Sequence, residues 1–121
     1  KLKLSKIKIK SSKLDVFKIH PQIMKIDAEG CELEVILSSK KTIKKSLPIL
    51  IIEFHHKNFK KIKNELNKMG YRDYLYDSKK NIFFEINKKI INKIIEKKTS
   101  TNIVFYNYKS NLIRRKKFKK S

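Results

Sequence analysis

Four of the chain's 11 acidic residues, Asp27, Glu29, Glu32 and Glu34, fall within eight positions around Gly30. A fifth, Glu53, is followed at once by Phe54, His55 and His56. Carboxylates brought together at the ends of neighbouring strands can take a proton from a hydroxyl, or share a divalent cation that acidifies it. Adjacent histidines suggest a base or a metal ligand, although no third ligand is specified and a surface role is the commoner outcome. If the strand continues through them, their side chains face opposite ways, and His55, in register with Glu53, is the better candidate. Asp27 has a second reading that stays open here: a short acid at a strand end can simply cap the next turn and helix by accepting backbone N–H bonds. Glu29, Glu32 and Glu34 read as solvent-facing residues that suit the positive end of a helix, with contact to a substrate as the alternative for Glu29.

The surrounding pattern supplies elements to hold these groups. Ile23 to Ile26 is an apolar run interrupted only by Lys25, and it reads as a strand buried on both faces. From Cys31 to about Lys45, apolar residues recur at helical spacing, with acids in front and lysines behind. Pro48 introduces a second apolar run that ends at Glu53, expected to be a buried parallel strand. Asn58 is the expected N-cap of a helix with inner face Phe59, Ile62, Leu66 and Met69, closed by Gly70. Strands follow at 71–76, 82–86 and 102–108, with a helix through Ile90, Ile91, Ile94 and Ile95. Earlier, Lys6 to Lys10 alternates as a short strand, and Leu14 to Phe17 starts a brief helix. The order predicts an open α/β sheet.

Of 32 basic residues only Arg72, Arg114 and Arg115 are arginine. Lysine, isoleucine and asparagine together are what AT-rich codons supply, so the net charge of +21 reads as a solvated coat rather than a nucleic-acid site. A small lysine-rich nucleic-acid-binding protein is nevertheless the alternative, with Tyr71, Tyr74, Tyr76 and Tyr106 as its stacking groups. A single cysteine, Cys31, excludes an intrachain disulfide and fits a reducing, cytoplasmic setting. No apolar run is long enough to span a membrane. Residues 109–121 form a basic tail expected to be disordered.

The segment Lys25-Ile-Asp-Ala-Glu-Gly-Cys-Glu-Leu-Glu-Val-Ile-Leu37 resembles the signature of the FkbM family of S-adenosylmethionine-dependent methyltransferases. Leu47-Pro-Ile-Leu-Ile-Ile-Glu53 is similar to that family's next strand, and Lys13-Leu14-Asp15 to a Leu-Asp pair upstream of the signature. The resemblance extends over roughly residues 6–108. It implies an α/β fold, the C-terminal half of a Rossmann-like class I methyltransferase sheet, lacking the first strands and the glycine-rich cofactor turn. It also implies a domain spanning 1–108, S-adenosylmethionine as cofactor, and O-methyl transfer to a sugar or small-molecule acceptor. Asp27, Glu53 and His55 would be its catalytic groups, with a divalent cation between the carboxylates as the alternative to a plain base. Gly30 and Gly70 are the only glycines, and neither sits where such a cofactor turn belongs. With Lys1 in place of an initiating Met, the chain reads as the C-terminal part of a longer enzyme, or the product of a broken reading frame. Alone it is expected to methylate nothing, and its Asp27 strand is expected to be an open edge.

Overall fold

The computed structural model describes residues 5–97, 100–110 and 118–119. Its strands are β1 (Ile23–Ile26), β2 (Ile49–Glu53), β3 (Tyr71–Asp77), β4 (Ile82–Glu85), β5 (Asn102–Asn107) and the two-residue β6 (Phe118–Lys119). Its helices are α1 (Glu32–Ser38), α2 (Lys40–Ser46), α3 (His56–Lys68) and α4 (Lys88–Lys97), preceded by a 3-10 turn at Leu14–Phe17. The sheet order is β1-β2-β5-β3-β4-β6. β1 and β2 are parallel, whereas β5 lies antiparallel between β2 and β3, and β4 returns as a hairpin on β3. The sheet is therefore mixed, compatible with part of a Rossmann-like sheet.

One face of the sheet carries the helices. Ile36, Ile43, Phe59, Ile62 and Leu66 pack there on Ile26, Leu50, Ile52, Ile103 and Phe105. On β5 the side chains alternate, so Val104 and Tyr106 join Ile49 and Tyr74 in a separate cluster. Each fully buried Ile, Leu or Phe contributes about 1.5–3 kcal/mol relative to exposure, which makes the helix-covered face the main source of stability.

Local sequence explains most of the boundaries. Gly70 adopts φ +86 just after α3 and closes it in the left-handed conformation, as its position suggests. Asn81, at φ 50, turns β3 into β4 after Asp77 has accepted the N–H groups of Lys79 and Lys80. Asp15 accepts the N–H groups of Lys41 (3.1 Å) and Thr42 (2.9 Å), so the 3-10 turn caps the start of α2 from 26 residues away. Those bonds, with the neighbouring lysine, outweigh burial and hold the Asp15 carboxyl below its usual pKa. The Leu-Asp pair upstream of the signature thus has a structural task.

Several expectations change. Lys6 to Lys10 forms no strand: Ile7 and Ile9 are 80% and 84% exposed, and alternation without a pairing partner or a buried face does not hold a strand. β1 is not buried on both faces: Ile23, 60% exposed, and Lys25 lie open on one face while Met24 and Ile26 are covered on the other, and the strand stands at the end of the sheet order. Among the described residues it is the open edge that the sequence suggested. The single helix expected after Cys31 is two short ones, broken at Ser39, whose side chain turns back to Val35 O. Asn58 lies inside α3, and His55 is the cap residue. Of the basic tail, residues 111–117 and 120–121 lie outside the described residues.

Among the expected stacking tyrosines, Tyr71, Tyr74 and Tyr106 are buried and donate or share hydrogen bonds with Pro48 O, Tyr108 and Ser110 O. Burial pushes the Tyr71 and Tyr74 hydroxyls well above their usual pKa, for Tyr74 with help from the Tyr108 hydrogen bond. They serve the core. No helix among the described residues is long and apolar enough to cross a membrane.

Candidate active site

The parallel pairing of β1 and β2 sets Ile26 beside Ile52, so Asp27 and Glu53 leave neighbouring strands at the same level. This carboxyl end of a parallel pair is where open α/β sheets receive ligands. The turn that follows Asp27 is tight: Glu29 at φ 50 and Gly30 at φ +96 are successive left-handed residues, and Cys31 N–H bonds back to Ala28 O at 3.0 Å. A non-glycine residue in this region is strained, so something must hold Glu29 there.

Glu32 holds it. Its Oε1 accepts the N–H groups of Ala28 and Gly30, both at 3.0 Å, from a side chain with no solvent exposure. Burial acts to raise the carboxyl's pKa; the N–H groups of Gly30, Glu32 itself and Ala28, with nearby His55, more than offset this and hold it below the usual value. Glu32 is therefore not the solvent-facing residue its sequence neighbours suggest. One signal pointed to it: Glu32, Ile36, Ser39 and Ile43 follow helical spacing and are all buried.

With those N–H groups bonded to Glu32, Asp27 is left to side-chain partners. Lys25 Nζ lies 3.0 Å from Asp27 Oδ2. The Lys25 hydrogen bond holds Asp27 below its usual pKa, and the Glu53 carboxyl lies in contact with it. Glu53 in turn accepts a hydrogen bond from Ser100 Oγ through Oε1, and its Oε2 lies 3.5 Å from His55 Nε2. The structure thus brings together all three candidates, Asp27, Glu53 and His55. His55 and His56 are not on a strand, because β2 stops at Glu53 and α3 begins at His56. His55 reaches Glu53 by capping α3. Asn58 Nδ2 donates to Gly30 O at 2.7 Å and ties α3 to the Asp27 turn. His20 lies apart in a loop near Ser46, 3.4 Å from its Oγ.

Two cavities flank the carboxylates. One is lined by Glu53, Phe54, His55, Ile94, Ile95 and Ser100. The other is a groove along the open β1 edge, from Ile19 and Pro21 past Met24 to Asp27 and Ala28. Among the described residues no group of three or more His, Cys, Asp and Glu side chains is arranged to hold a metal ion. The ammonium of Lys25 already occupies the cationic position at Asp27. For S-adenosylmethionine the residues present fit only in part. Gly70 abuts the Asn107 side chain and serves packing, and Gly30 belongs to the turn clamped by Glu32, so neither forms a cradle for the cofactor.

A parallel strand pair ending in carboxylates, with helices packed on one face, is an α/β arrangement compatible with part of a Rossmann-like fold. The chain belongs to the Methyltransferase FkbM domain family, whose model matches residues 4–72, more than half of it. The matched span holds Asp27, Glu53 and His55 and stops at the start of β3. Comparison with curated proteins and with solved structures gave no match.

Proposed function

We propose that the chain supplies the acceptor side of an S-adenosylmethionine-dependent O-methyltransferase acting on a hydroxyl of a sugar or small metabolite. The observation that supports this is the carboxylate pair Asp27 and Glu53 standing between two cavities. Methyl transfer requires two substrates held in line, and a hydroxyl acceptor requires a base beside it. The cofactor would supply the electrophilic methyl group. Glu53, facing the cavity lined by Phe54 and Ser100, takes the acceptor's proton. Asp27, kept anionic by Lys25, faces the groove along β1 and adds negative charge on that side.

These residues do not by themselves provide a glycine-rich turn, and among the described residues β1 leaves an edge unpaired. Transfer therefore needs a further cofactor-binding segment beside β1, and the chain alone is inactive. The setting is a reducing one such as the cytoplasm, in keeping with the exposed thiol of Cys31.

The test has two parts. Calorimetric titration of the chain with S-adenosylmethionine should give no binding heat. Reading the DNA upstream should reveal a glycine-rich strand–turn–helix, in frame or one frame away. The joined product should transfer labelled methyl groups to a hydroxylated acceptor, with Glu53→Gln slowing transfer at least ~100-fold. A joined product that binds the cofactor but transfers as fast with Glu53→Gln as without it would remove Glu53 as the base.

A further inference from the structure

Among the described residues three buried side-chain atoms take no hydrogen bond, and two of them, Glu32 Oε2 and His55 Nε2, belong to this one site. A buried polar atom without a partner costs about 1–3 kcal/mol, so two in one place call for a reason. His55 Nε2 lies 3.5 Å from Glu53 Oε2 and 3.7 Å from Glu32 Oε1, within reach of both carboxylates and bonded to neither. That nitrogen is also closed to solvent, although 38% of the side chain is open. An acceptor in the cavity can touch Glu53, but it cannot touch His55 Nε2.

We propose that Glu53, His55 and Glu32 form a proton relay, in which Glu32 is a positioning residue whose carboxylate, 3.7 Å from the ring nitrogen, offsets the charge of the imidazole when it becomes protonated. The proposal rests on the O-methyl reading above. The acceptor's O–H bond breaks and its electron pair stays on oxygen. The proton passes to Glu53 Oε2, then to the lone pair of His55 Nε2, which restores the Glu53 carboxylate. The imidazolium so formed lies within reach of both Glu53 and the buried Glu32 carboxylate. It loses its Nδ1 proton through the exposed part of the ring, and tautomer exchange after product leaves restores the lone pair on Nε2. A shift of under an ångström brings Nε2 into hydrogen-bond range of either oxygen. The other charged or titratable groups around the ring are Asp27 beyond Glu53, and His56 and Lys57 at the start of α3. None of them replaces Glu32, which stands on α1 and is held by its two backbone bonds.

The experiment is 15N NMR of the imidazoles of the chain itself at neutral pH, with His55 assigned through His55→Gln. Glu32→Gln keeps an oxygen for the Ala28 and Gly30 N–H groups while removing the charge. It should leave those two amide signals near their wild-type positions and change the His55 ring 15N shifts, which report how the proton is distributed over the two nitrogens. Glu53→Gln should also move the His55 ring signals, with His20 unaffected. Ring signals of His55 that are the same in wild type and Glu32→Gln, with the two amides in place, overturn the relay. The readout needs no turnover. A moved His55 signal in a joined protein that transfers no methyl group supports the coupling and sinks the O-methyl reading. Glu53-dependent transfer with unmoved His55 signals leaves that reading and sinks the relay.

Discussion

The two ends of the sheet differ in how completely their polar groups are satisfied. Around β5 and β3 the buried hydroxyls are paired: Tyr71 with Pro48 O, Tyr74 with Tyr108, Tyr106 with Ser110 O. Buried Asp73 is matched by Lys63 at 2.7 Å. Beside β1 and β2, by contrast, one oxygen of the fully buried Glu32 carboxylate and an imidazole nitrogen of His55 take no hydrogen bond. The antiparallel end is built to be stable, and the parallel end keeps polar groups poised at some cost. That cost falls beside the carboxylates that the sequence nominates for chemistry.

Substitutions can break this contrast. The largest effect should come from Phe105→Ala, which opens a cavity in the central strand under Phe59: a loss of about 3–5 kcal/mol by urea denaturation. A loss under ~1 kcal/mol would mean that β5 is not where stability resides. Glu32→Ala comes next, because it strands the N–H groups of Ala28 and Gly30; about 2 kcal/mol should go, and Glu32→Gln should recover most of it. Equal losses for both variants would show that the buried charge, rather than the clamp, sustains the turn.

Smaller effects sharpen the same comparison. Gly30→Ala meets open space, so its cost is only the strain of φ +96, about 1 kcal/mol in thermal unfolding. Tyr74→Phe removes the bond to Tyr108 at the satisfied end; it should cost about 1 kcal/mol and leave the His55 ring signals unmoved. The smallest effect is electrostatic. Hydrogen bonds from Lys40 and Lys68 bring the Glu65 carboxyl down to a pKa of about 2. A depressed folded-state value stabilises above the unfolded pKa, so this contribution is present above pH ~4.5 and fades as pH falls toward 2. Salt should weaken it, as it does exposed ion pairs; a Glu65→Gln variant with an unchanged acid limb in its pH–stability curve would remove the pair from the account.

The sequence by itself determined most of the succession of elements, because periodicity and turn chemistry are local. Gly30 and Gly70 mark chain reversals, the inner face of α3 is legible at Phe59, Ile62 and Leu66, and the Asp27 signature fixes the family. Tertiary structure decided what each element would lie against. Period-two alternation at Lys6 to Lys10 carries no record of whether a partner strand is there to pair with it. Nor does a run of isoleucines say that β5 enters antiparallel between β2 and β3, or that β1 is left at the edge. Three glutamates near one helix start look alike in sequence; only the turn at Glu29 and Gly30, by aiming two N–H groups inward, makes burial affordable for Glu32. That burial, and the capping position of His55, depend on contacts between residues far apart in the chain, which local pattern does not encode.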